Sequence, residues 1–108
     1  MDDKQKQKVL ELDLEDIQFY YTHKQFFADI EETVIMKAQA KKVALYEGFM
    51  KEAPLNLYAV YAGLYIQNEK HENLAKKLYV SRSTFRRQRI KLFEFLLKKL
   101  EEVEREDT

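Results

Sequence analysis

Residues that break helices are almost missing from this chain. Its 108 residues include two glycines, Gly48 and Gly63, and one proline, Pro54. Glycine disrupts a helix through backbone entropy and proline through its missing N–H, so a chain this poor in both has few places to turn sharply. No run of alternating apolar and polar residues bounded by turn signals occurs, and no strand is expected. The chain reads as all-α, a small helical domain whose turns fall at a few identifiable points. Apolar residues at 45% and charged residues at 35% suit a folded domain rather than a disordered segment. The length suits a single domain with a modest core.

The clearest boundary is "EAPLN". The residue before a proline is pushed out of the helical region, and Pro54 suits the first turn of a new helix. It divides the chain into an N-terminal helical region, 1–53, and a C-terminal region, 54–108, read together as one compact unit. Residues 1–12 are charge-rich and expected to be frayed or only partly helical. Asp13 is a candidate cap, with Glu15 and Asp16 in the first turn behind it. Leu14, Ile17, Tyr20, Tyr21, Phe27, Val34 and Ile35 then recur at spacings near three and four, and the pattern runs on through Ala38, Ala44 and Leu45 to about Glu52. A single helix of that length is unusual in a small domain. A break is expected, near Thr22–Lys24 or near Thr33.

After Pro54 a helix runs to about Gln67, with Leu55, Tyr58, Ala59, Ala62, Tyr65 and Ile66 on one side. A polar connection, "QNEKHE", leads to a short helix over about 70–78 that buries Leu74, Ala75 and Leu78. Tyr79 and Val80 form a turn. Ser81 is a good N-cap, and a long last helix starts at Arg82 and reaches about Glu104. Two short helical pieces joined by a tight turn, the second capped by serine, make a helix-turn-helix. Ala75 stands where the first helix must be small, Leu78 and Val80 flank the turn, and Phe85 points into the core one turn later. Two positions depart from the pattern. Tyr79 occupies the turn position usually held by glycine, where a left-handed backbone is cheap for glycine alone. Gln88 stands where an apolar residue is common.

The order "PLNLYAVYAGLYIQ", "NEKHE", "NLAKKL", "VSRSTFRRQRIKLFEFLLKKL" resembles the fourth-region DNA-binding domain of sigma factors over about residues 54–100. More narrowly it is similar to the ArpU/RinA-type phage transcriptional regulators of low-GC Gram-positive bacteria, in which a Ser-x-x-Thr-apolar-x-Arg segment opens a strongly apolar helix. The resemblance implies activation of phage or mobile-element genes.

Charge points the same way. The chain is neutral, with 19 basic and 19 acidic residues, yet residues 72–93 hold seven bases and no acid lies between Glu72 and Glu94. A DNA backbone is a dense line of negative charge that Lys and Arg bind by displacing counterions. Base edges in the major groove are read from the N-terminal part of the second helix of such a motif, often by Arg on guanine. Arg82, Ser83, Arg86 and Arg87 are therefore the candidates for base contact, and Lys76, Lys77, Thr84 and Lys91 for phosphate contact. Arg89 lies nearer the apolar side and is expected to pair with an acid such as Glu69 or Glu72. The first 16 residues hold six acids and three bases, and the last eight hold five acids and one base. These acidic ends would leave the basic patch locally positive while reducing non-specific attraction, so removing 101–108 should raise affinity for random DNA.

The rest of the chain narrows the reading. "LFEFLLKKL" is apolar too widely for one contact. Phe95 and Leu97 are candidate oligomer-interface residues, the alternative being that the N-terminal helices wrap and bury this helix. The tyrosines and phenylalanines at helical spacing read as core rather than as stacking platforms for bases. There is no cysteine, the two histidines are 48 residues apart, and no phosphate-loop, dinucleotide-binding or nucleophile-elbow motif occurs. No metal, cofactor or enzymatic activity is expected. No apolar run suffices to span a bilayer and no signal sequence is apparent, so the expected setting is the cytoplasm, at the nucleoid. Expected partners are double-stranded DNA, RNA polymerase and a second copy of the chain. The alternative is a protein-interaction module that docks its basic helix on polymerase or another acidic partner.

Overall fold

Asp2, not Asp13, starts the first helix. In the computed structural model, which describes residues 2–24 and 34–106, Asp2 and Gln5 form a reciprocal capping box. The Gln5 N–H donates to the Asp2 carboxylate at 2.8 Å, and the Asp2 N–H donates to the Gln5 amide oxygen at 3.1 Å. Helix α1 then spans Asp3–His23 and buries Leu10, Leu14 and Ile17 at spacings of four and three. The expectation of a frayed start failed because charge density hid the cap and because Leu10 is a core residue. Asp13 instead sits mid-helix, where it accepts a hydrogen bond from the Tyr46 hydroxyl at 2.7 Å and pairs with Lys42 at 3.3 Å. The Asp16 carboxylate lies 2.6 Å from the same ammonium. The hydrogen bond to Asp16 is the main reason that Lys42 holds its proton more tightly than a free lysine.

Helix α1 ends at His23 and α2 spans Val34–Met50. Phe27 and the side chains of Val34 and Ile35 lie outside the described residues. Pro54 then caps α3, Leu55–Tyr61, its carbonyl accepting from the N–H groups of Leu57 and Tyr58. One π-helical turn, Ala62–Ile66, continues α3. Helix α4 is His71–Lys77 and α5 is Arg82–Glu106. No strand occurs among the described residues. At 25 residues, α5 is about 37 Å long and runs well past the motif that opens it.

The buried side of α3 differs from expectation. Leu57, Val60, Tyr61 and Leu64 are buried, while Leu55 is 84% exposed. The segment is apolar on nearly every side, so periodicity does not choose a face. The π turn also adds a residue, which turns Tyr65 and Ile66 onto the edge of the core. A widened turn frees backbone carbonyls, and Gln18 of α1 answers one of them. Its amide donates to the Leu64 carbonyl at 3.3 Å and to the Asn68 side chain at 2.6 Å.

The core is continuous across both halves of the chain. It runs from Leu10, Leu14 and Ile17 of α1 through Tyr46 and Met50 of α2 to Val60, Leu64, Leu74, Phe85, Leu92 and Leu96. Helix α1 packs against α2, the π turn and α5, and α3 packs against α5. Ion pairs tie the same elements at the surface: Lys6 reaches Glu101 at 3.6 Å, and Lys99 reaches Glu52. Gln88, the polar departure in α5, is half-buried, and its amide oxygen finds no partner among the described residues.

The turn between α4 and α5 takes the left-handed form that its sequence makes expensive. Tyr79 has φ 56°, the Val80 N–H donates to the Ala75 carbonyl, and the Tyr79 N–H donates to the Lys76 carbonyl. This is the Schellman closure that glycine usually serves. Tyr79 is 95% exposed, so its side chain gains almost no burial in return. Tyr79→Gly should therefore stabilise the fold by about 1 kcal/mol, the left-handed penalty less the entropy that glycine adds to the unfolded chain. Thermal unfolding followed by circular dichroism checks this, and a lowered midpoint would contradict it.

Candidate nucleic-acid interface

Three local devices hold the start of α5 in place. Val80 leads the chain out of the turn. The Thr84 N–H then donates to the Ser81 hydroxyl oxygen at 3.1 Å, closing the N-terminus of the helix as expected of a serine cap. Phe85, 4% exposed, anchors the first turn to the core. Helix α4 is locked from the other side by Leu74 and Ala75, buried against the π turn and α5. The basic residues thus stand on a rigid helix end rather than on a loop.

Arg82, Ser83, Arg86 and Arg87 are all exposed there. At 100° per residue, Ser83 and Arg87 point most directly away from Phe85, while Arg82 and Arg86 lie toward α4. The two outward residues are linked, since the Arg87 Nε–H lies 3.4 Å from the Ser83 carbonyl. Arg82 is not idle. Its guanidinium meets the Glu72 carboxylate of α4 at 2.8 Å, a pair open to solvent on both sides and worth little to stability.

The phosphate candidates divide. Lys76 and Lys91 are exposed, and Lys76 stands on α4 across the turn from Arg82. Lys77 is held by Glu69. Thr84 is half-buried, and its hydroxyl accepts from the Ser81 hydroxyl at 3.0 Å, so its first role is to complete the cap. The pairing expected of Arg89 is not found: Glu72 is taken by Arg82 and Glu69 by Lys77. Arg89 lies instead beside His71 and Tyr65, and its charge is felt by both. Burial, and then that guanidinium, hold the His71 imidazole below its ordinary pKa.

Phe95 and Leu97 are both half-buried against the core cluster. The Lys99 ammonium lies 5.7 Å from the centre of the Phe95 ring. Leu97 borders a shallow trough with Ile90, Phe93 and Tyr65. Ile90, 49% exposed among the arginines, is the apolar surface residue that sequence reasoning passed over. Its signal was its position, five residues after Phe85 and so off the buried stripe. Within the acidic tail, Glu101 and Glu104 both lie near Lys6 of α1. No helix among the described residues is long and apolar enough to cross a membrane.

The chain matches no protein-family model, no curated protein and no solved structure.

Proposed function

We propose that this chain is a sequence-specific regulator of transcription that binds double-stranded DNA through α4 and α5. One observation carries the reading. Arg82, Ser83, Arg86 and Arg87 stand exposed at the open end of a helix that is capped by Ser81 and anchored by Phe85, with Lys76 exposed across the turn. A rigid, exposed, arginine-rich helix start is what major-groove reading of guanine requires. Lys76, Lys77 and Lys91 serve the backbone, and Thr84 serves through the cap. The resemblance to ArpU/RinA-type regulators implies that the target genes belong to a phage or mobile element and that the output is activation. Residues of α1 and α2 complete the core and leave surface for polymerase or a second copy.

The test is a fluorescence-anisotropy titration with duplex DNA from around the protein's own gene, at two salt concentrations. Wild type should bind this DNA more tightly than random duplex and should weaken steeply with salt. Arg86→Ala/Arg87→Ala should lose about 1–3 kcal/mol for each guanine contact removed, or about fivefold to 150-fold per contact. Absent binding, or binding indifferent to the two arginines, would favour the second reading, in which the basic helix docks on polymerase or another acidic protein. Ile90 is the observation behind that reading, because an apolar centre with a charged rim suits a protein interface.

A further inference from the structure

Helices α4 and α5 meet at the turn and diverge from it, leaving a recess of about 370 Å³ between them. Arg82, Arg86 and Arg89 line one wall, at spacings of four and three that put them on one side of α5. His71, Glu72 and Lys76 of α4 line the other. The floor is apolar, made by Ala75, Val80 and the ring of Phe85, which lies 5.9 Å from the His71 imidazole.

Charge and size together select a ligand. Four permanent cations face one carboxylate, and that carboxylate already meets Arg82. Burial first, and the Arg89 charge after it, keep the His71 imidazole from holding a proton, so it adds little charge of its own to the wall. The volume lies at the lower end of small-molecule sites. A bare inorganic anion would satisfy the guanidiniums and leave the apolar floor wet.

We infer that this recess binds a small organic anion, its apolar body on Phe85 and Val80 and its carboxylate or phosphate between Arg86 and Arg89. The site goes beyond DNA binding and does not depend on it. Where both hold, they are linked. Arg82 and Arg86 belong to the recess and also to the helix start offered to DNA, so an occupant and DNA compete for them, each weakening the other by the same factor.

The test follows the His71 imidazole of the full chain by NMR during titration with 2-naphthoate. Naphthalene-2-methanol and inorganic phosphate serve as separate arms, and His23 on α1 is the internal control. Naphthoate should shift His71 saturably and raise its pKa, because a carboxylate beside the ring favours the imidazolium, while His23 stays put. The neutral alcohol and phosphate should each bind about tenfold or more weakly, since each supplies half of the recognition. Arg89→Gln should weaken naphthoate by about tenfold, and Glu72→Gln, which removes the one opposing carboxylate, should tighten it. The inference fails if naphthoate gives no saturable shift, if phosphate binds as tightly as naphthoate, or if Arg89→Gln leaves binding unchanged. DNA enters none of these readouts, so the result stands apart from the DNA-binding proposal.

Discussion

Ile17→Ala should destabilise the C-terminal half of the chain together with the N-terminal half. Ile17 is 0% exposed on α1, and α1 packs against α2, the π turn and α5. Removing its outer carbons loses their transfer energy and leaves a cavity, at a cost of about 2–5 kcal/mol. That is a large share of the roughly 5–15 kcal/mol that holds a domain together. The core shows no seam at Pro54: residues of α1 and α2 share one apolar cluster with Leu64, Leu92 and Leu96. The loss should therefore appear as one cooperative transition, with far-ultraviolet circular dichroism and tyrosine fluorescence moving together. A fragment of residues 54–108, deprived of α1, exposes that cluster and should remain unfolded. Two separated transitions, with the second at its wild-type midpoint, would show instead that the C-terminal half is autonomous.

This division of labour explains what could be read from the chain before its fold was known. Ser81, Leu74, Ala75 and Phe85 were legible because each role is defined by neighbours a few residues away. A cap needs an amide three residues on, and a buried pin needs a helical spacing. The strained turn at Tyr79 was legible as a conflict between residue type and position, and the structure carries that conflict in its backbone. The face of α3 was not legible, because "LNLYAVYAGLYI" is apolar all round and only α1 and α5 decide which side is covered. The start of α1 was obscured by the charges around Asp2 and Gln5. Most instructive is Arg89. Sequence placed it near acids in α4 and the loop before it, but the relative placement of α4 and α5 assigns those acids to Lys77 and Arg82 and leaves Arg89 on the recess wall.

That placement rests on Gly63, which a double-mutant cycle with Leu74 can show. A Cβ added at Gly63 would stand 2.5 Å from both Leu74 methyl carbons, so the π turn and α4 approach as closely as a missing side chain allows. Helix propensity alone favours alanine over glycine by about 1 kcal/mol. The contact should reverse the sign. Leu74 is 4% exposed, its methyls have little room to turn away, and Gly63→Ala should cost about 1–3 kcal/mol. Leu74→Ala alone should cost about 2–5 kcal/mol by leaving a cavity. In the double variant the new methyl has nothing to meet, and Gly63→Ala should there be neutral or stabilising by up to about 1 kcal/mol. Urea unfolding of the four proteins measures the coupling, and additive effects would mean that Leu74 has room to move. If the coupling is present, the two residues fix how closely α4 seats against the π turn, and through it where α4 stands relative to α5. They thereby bear on the gap that holds the recess and on the angle at which the arginines leave the surface.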